Sequence, residues 1–432
     1  MNTIQKTLCL IVISIFLVGC SSGTPYIQPT VTIQEQSSTS IFTPTHLPSP
    51  SPFPSAIVSS KEIFDCLDIS PSFTFSESVQ GVLALQEIKP EASQFLLKME
   101  TGETTALQNT IEDSSLSPDG QFFAFHNATK IQIITSDGKV VASVPWDNSW
   151  REISSWVNND ILLISRKGEK VNDVDTIDTT VSLDPWTGKV TSLLPDFPNV
   201  YQIYPWPHWG GYSANQTFYT PALDKVIYIP LSDQGQHEMI LWDFQNQKEL
   251  TNWQAIVPYV YSPKWSPDGD KFVINVQSEI TTSDNGLDQV KQDLFLISND
   301  GKLTQLTDFS STYTDIFLGN YNWSPDGQFI AFSVWLSPIE YPKDYSSLRD
   351  ITTDNPNRLE ILDMTTGRVT NYCIPAGGGL YAPVWSPDGN YLVITDDYDH
   401  GFPNKSLVFI FDVRNKTASL LAEDVLPMGW IK

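Results

Sequence analysis

Chemistry in this sequence would have to come from a few short constellations. The string nearest to a serine nucleophile elbow is Gly210-Gly-Tyr-Ser-Ala-Asn215, which lacks the closing glycine that the sharp strand-to-helix turn requires. No α/β pattern follows it. His126, His208, His237 and His400 are scattered without zinc-ligand spacing. Two loops, Asp396-Asp-Tyr-Asp-His-Gly401 and Asn172-Asp-Val-Asp-Thr-Ile-Asp178, crowd carboxylates as a hard cation would want. Neither follows the twelve-residue EF-hand pattern. Asp396, Asp397 and Asp399 are therefore candidate calcium ligands, set against the plainer reading of solvated acidic loops. Glycoside hydrolysis needs two carboxylates across a cleft, and 50 acidic residues neither point to such a pair nor exclude it. No cofactor motif is present. The expectation is a protein that binds rather than catalyses.

The elements that would position a site come from an internal repeat. Leu116-Ser-Pro-Asp-Gly120, Trp265-Ser-Pro-Asp-Gly269, Trp323-Ser-Pro-Asp-Gly327 and Trp385-Ser-Pro-Asp-Gly389 are each followed by an apolar run: Gln-Phe-Phe-Ala-Phe, Asp-Lys-Phe-Val-Ile, Gln-Phe-Ile-Ala-Phe and Asn-Tyr-Leu-Val-Ile. Serine, proline and glycine suit successive positions of a tight turn, so each copy predicts strand, turn, strand. Later runs such as Leu359-Glu-Ile-Leu-Asp-Met-Thr-Thr-Gly367 predict a third strand with its own turn, and a fourth follows. Four antiparallel strands per unit is a propeller blade. Looser copies begin at Trp156 and Trp209, the latter with Val226–Ile229 as its second strand. Trp430 near the C-terminus has an anchor but no strands behind it, whereas Gly81–Leu85 and Phe95–Gly102 have strands but no anchor. Pairing the two ends completes a blade and removes exposed edges. The anchors Leu116, Trp156, Trp209, Trp265, Trp323, Trp385 and Trp430 then predict an all-β, seven-bladed β-propeller, with six blades if Trp209 is not an anchor.

The Trp-Ser-Pro-Asp-Gly units resemble the WD40-like (PD40) repeats of TolB-family propellers, over nearly the whole chain beyond residue 61. Three of the seven units match the motif in full, and Leu116 replaces Trp in a fourth. The resemblance implies a propeller with partners in the cell envelope. TolB carries a further N-terminal domain, which residues 21–60 here do not resemble.

Lys6, the apolar run Leu8–Val18 and Leu17-Val18-Gly19-Cys20 look like a lipoprotein signal peptide with a lipobox, Cys20 becoming the acylated (palmitate-bearing) first residue. The run is shorter than the roughly 20 residues a spanning helix needs. Of the 40 residues from Ser21 to Ser60, 23 are Ser, Thr or Pro, a composition that predicts a disordered tether rather than a packed core. The organisation expected is signal peptide 1–19, lipidated Cys and tether 20–60, and propeller 61–432. A formal net charge of −25 argues against nucleic acid and against binding anionic lipid, so membrane contact runs through the acyl anchor alone. An exported monomer at the outer face of the cell membrane is expected. In that compartment Cys66 and Cys373 could be bridged or could remain two free thiols.

One end of each blade should carry uniform tight turns and the other loops of varied length. The long candidates are Arg166–Thr179, Gln277–Gln292, Trp335–Asn357 and Asp396–Lys405. Binding residues concentrate in such loops. Tyr204 and Trp206, from a connection between blades, and Trp335, Tyr341, Tyr345 and Arg349, from the longest loop, mark the candidate ligand face. The competing reading has these aromatics packing loops onto the rim. The leading function is recognition of a protein or peptide in the envelope or outside the cell. The alternative, from the surplus Trp and Tyr and the abundant carboxylates, is carbohydrate binding or hydrolysis.

Overall fold

The four Ser-Pro-Asp-Gly turns are built alike in the computed structural model. Each serine hydroxyl donates to the aspartate two residues on, as in Ser117 to Asp119 at 2.7 Å and Ser386 to Asp388 at 2.6 Å. The same hydroxyl accepts from the backbone N–H five residues on, at Phe122, Lys271, Phe329 and Tyr391. The aspartate accepts from the N–H two residues after itself. Glycine closes the turn at φ near 70°, the left-handed region that a Cβ disfavours. These aspartates cap their own turns.

The structure describes residues 62–432 apart from 89–92, 108–112, 128, 167–178, 194–216, 229–237, 255–263, 283–287, 314, 337–356, 377–381 and 397–405. The chain is all-β, with one short helix at Phe309–Thr312 among the described residues. A four-stranded antiparallel meander recurs along it. Meander I joins Val425–Ile431 to Val82–Glu87, Gln94–Lys98 and Thr104–Ala106; II spans Asp113–Pro145 and III Trp150–Ser192. Meander IV spans Thr217–Gln254, V Lys264–Gln305, VI Ile316–Pro375 and VII Val384–Glu423. In I the C-terminal strand pairs antiparallel with the N-terminal one, Trp430 opposite Leu83.

Each hydrophobic cluster draws on two consecutive meanders. Phe409 and Trp385 of VII pack with Leu359 and Ile374 of VI. Val393 and Ile410 of VII pack with Leu83, Leu97 and Trp430 of I, and Val82 and Leu96 of I with Phe123 and Phe125 of II. II with III, III with IV, IV with V and V with VI follow the same rule.

The anchor tryptophans register these interfaces. Three indole N–H groups donate to the preceding meander, one residue before its own anchor: Trp156 to Ser115, Trp323 to Lys264 and Trp385 to Asn322, at 3.1–3.3 Å, whereas Trp430 donates to Gln80 of its own meander. Trp265 donates to Phe218, so Tyr219 holds the anchor register of IV. Trp209 lies outside the described residues. Tyr219 is followed by Thr220-Pro221-Ala222-Leu223, a disguised copy of Ser-Pro-Asp-Gly. Leu223 sits at φ 55° where the other copies have glycine, and Thr220 Oγ1 bonds Asp224 at 2.7 Å. The expected second strand of IV is present as Lys225–Tyr228. The turns also touch one another: a Cβ on Gly269, Gly327, Gly389 or Gly120 would meet Pro221, Pro267, Pro325 or Pro387. Asp119 N–H to Asn159, and Asn158 Nδ2 to the Pro221 carbonyl, link the rest.

Two features depart from the sequence expectation. The long loop expected at Gln277–Gln292 is mostly hairpin: Lys271–Thr282 and Asp288–Ser298 pair as far as Thr282 opposite Asp288. Residues 63–70, where no strand is expected from the sequence, run along the outer strands of two meanders. Ile63–Phe64 adds parallel to the outer strand of VI and Ile69–Ser70 to that of VII. Cys66 and Cys373 form a disulfide that ties this strap to VI, with Cα atoms 4.8 Å apart.

Candidate functional face

The first-to-second turns all lie at one end of the meanders. The opposite ends of the second strands lead into the segments of unequal length between second and third strands. Of the sequence candidates there, Tyr204, Trp206, Tyr341, Tyr345, Arg349, Asp397 and Asp399 lie outside the described residues, as does Cys20.

Trp335 stands near the end of its strand opposite Phe317, the rings 5.5 Å apart. This pair lies at the strand end that leads into 337–356. The Trp335 indole N–H is buried and has no partner. Asp396 is fully buried at the end of its strand, opposite Leu407. Among the described residues no three His, Cys, Asp or Glu side chains converge as a metal site.

Just beneath these loops runs a tier of polar side chains that sequence reasoning missed. Counting three residues along the second strand from the anchor's register partner gives Gln86, His126, Ser165, Asn275, Ser333 and Thr395. The equivalent in IV, Ile229, is outside the described residues. All but the half-buried Gln86 are buried. Asn275 Nδ2 reaches the Gln292 carboxamide at 3.4 Å, and Gln292 Oε1 accepts from Leu318 N–H of VI at 2.8 Å. His126 stacks on Trp146 at 3.8 Å between centroids, and Trp146 meets Trp150 edge-on. The hydroxyls of Ser165, Ser333 and Thr395 have no partner, and an unpaired buried polar group costs about 1–3 kcal/mol. The signal was in the sequence: each quoted apolar run stops one residue before the tier.

A second polar group sits at the root of the longest loop, where the strap meets VI. Asn371 Nδ2 donates to Glu62 Oε1 and Glu360 Oε1, both at 3.1 Å, and Tyr313 donates its hydroxyl to Glu62 Oε2. Burial holds the Glu360 carboxyl well above the usual range; the charge of Glu62 and a bond to it add to this, against Asn371 and Arg358. The Tyr313 phenol is likewise pushed up, by burial and then by Glu62. Glu360 Oε2 is buried without a partner. Arg358 Nη1 also reaches Cys373 Sγ at 3.4 Å. These groups tie the strap to VI.

No family model matches the chain, and no curated protein does either. Solved structures similar to it include a chain described as a TolB of Agrobacterium tumefaciens, 18% identical, covering 72% of this chain and 95% of that one, with a TM-score of 0.39. The Swd1 β-propeller domain of Myceliophteria thermophila is 14% identical over 77% and 94%, TM-score 0.44. The hydrazine synthase of Kuenenia stuttgartiensis is 15% identical over 84% and 97%, TM-score 0.44.

Proposed function

We propose that the meanders form a closed seven-bladed β-propeller that acts, without catalysis, as a recognition module for a protein or peptide. The cycle of hydrophobic clusters from VI through VII and I to II supports the ring, as does the pairing of Val425–Ile431 with Val82–Glu87. One observation carries the recognition reading: the contrast between the two ends of the meanders. At one end, near-identical turns lock to their neighbours through proline–glycine contacts. At the other, strands end on a polar tier and hand over to segments of unequal length rich in aromatics and charge, the composition of interface hot spots. A rigid scaffold with one varied end is how folds present binding loops.

In this reading the domain is exported and held to the membrane by acylated Cys20 through the 21–60 tether. Mass spectrometry of the mature N-terminus tests the anchor: a diacylglyceryl-modified Cys20 is the expected result, and an unmodified chain overturns it. Recognition is tested by cross-linking at the native cell surface with the intact chain and with a variant whose 337–356 segment is cut to a short turn. A protein captured by the first and lost by the second supports the proposal. Equal capture refutes a site on that segment, and retention on a glycan array in place of protein capture favours the carbohydrate reading.

A further inference from the structure

We propose that Lys264 is the cation of a carboxylate-binding site on the inner strands of meanders V and VI. Two of the amides beside it, Asn275 and Gln292, belong to the polar tier, but Lys264 and Asn322 need no residue of the variable loops, so the site stands whether or not those loops bind a partner.

Lys264 lies one residue before the Trp265 anchor, on the first strand of V, at the free edge of its sheet. Its ammonium Nζ donates to Asn322 Oδ1 at 3.2 Å, and Asn322 Nδ2 in turn donates to the Pro383 carbonyl at 3.1 Å. Asn322 is the matching residue of VI, one before Trp323. The amide is therefore held by VII and presents its oxygen to the lysine. An ammonium has three donors, and the Asn322 bond uses one. The groups around it are neutral: Val273 lies opposite in the hairpin, and Asn275 follows two residues on, on the same face of the sheet. Its neighbour across V, Gln292, keeps a buried carboxamide N–H without a partner. Neither 255–263, which leads into Lys264, nor 377–381, which leads into Pro383 and Val384, contains an acidic residue.

Lys264 is half-buried, and an ammonium withdrawn from water without a counter-charge is costly. Burial alone pulls the Lys264 amine down to about 8 from 10.5. Other registers of the inner ring hold neutral residues at this position, such as Ser115, Asn322, Val384 and Gly429. The arrangement leaves one positive charge, fixed by a neutral amide and short of acceptors. A ligand carboxylate supplies both the counter-charge and the missing acceptor. It could come from a small dicarboxylate or from a polypeptide terminus.

The test uses purified protein labelled with 13C at lysine, the Lys264 ε-CH2 signal being assigned by its loss in Lys264→Met. Probes are succinate, a short peptide with a free C-terminal carboxylate, and the same peptide amidated. The expected result is a titration midpoint near 8 that rises toward 10.5 on saturation with succinate or the free peptide. Binding should weaken more than tenfold in Lys264→Met, with circular dichroism unchanged. A response to succinate alone assigns a small carboxylate, and a response to the free peptide alone assigns a polypeptide terminus. If Lys264→Met fails to fold, Lys264→Gln serves instead. A midpoint unmoved by either carboxylate overturns the proposal, as does an amidated peptide that binds equally or a variant that binds like the parent.

Discussion

The indole N–H of Trp430 donates to the carbonyl of Gln80 at 3.0 Å, joining residues 350 positions apart. Trp430 is fully buried, and Gly81 beside Gln80 sits at φ 97° so closely against it that a Cβ would lie 2.7 Å from the indole nitrogen. The last strand thus completes meander I from the far end of the chain. Truncating residues 425–432 should remove its first strand and lower the melting temperature of the whole domain. Trp430→Ala alone should cost about 3–5 kcal/mol, the range for emptying a large aromatic site. Thermal melts followed by circular dichroism check both; an unchanged melt would count against end-to-end pairing.

The Cys66–Cys373 bridge closes a separation of 307 residues. Constraining so long a segment of the unfolded chain typically stabilises by about 2–4 kcal/mol. Cys66→Ser with Cys373→Ser should lower the urea midpoint accordingly, and reducing agent should do the same to the parent but nothing to the double variant.

Burial, and after it the charge of Glu62, raises the Glu360 carboxyl above its ordinary range. Its folded value exceeds the unfolded 4.5, so the folded state binds more protons above that pH. The stabilisation it contributes is full below 4.5 and is lost as pH rises through the folded value. Glu360→Gln should flatten this part of the stability–pH curve. A curve of unaltered shape would show that Glu360 does not govern it.

Lys264 has the opposite linkage. Its folded value near 8 lies below the unfolded 10.5, so the unfolded state binds more protons between them and stability rises across that window. Denaturant melts from pH 8 to 10.5 should show the rise in the parent and not in Lys264→Met.

The turn network predicts equivalence among copies. Ser324→Ala and Ser386→Ala each remove a hydroxyl that donates to Asp326 or Asp388 and accepts from Phe329 or Tyr391 N–H. Each should cost roughly 1–2 kcal/mol, and the double variant should depart from the sum of the two, because Gly389 of one turn packs toward Pro325 of the other. Urea denaturation of both single variants and the double variant decides it.

The sequence by itself determined the repeat, because Ser-Pro-Asp-Gly and the apolar run after it act locally: one hydroxyl, one carboxylate and one glycine close a turn whatever surrounds it. It also showed that Trp430 lacked strands and Gly81–Leu85 lacked an anchor. Only tertiary structure decided the rest. Tyr219 took the anchor register of IV because the Trp265 indole reads a backbone carbonyl, which carries no side-chain signature. Leu223 hid the turn of IV, since neighbouring packing can hold a leucine at φ 55°. The strap over VI and VII, the polar tier and the lone charge of Lys264 were equally hidden. Each depends on which residues from distant turns of the chain share a face, and that is set by the stacking of whole meanders rather than by any local pattern.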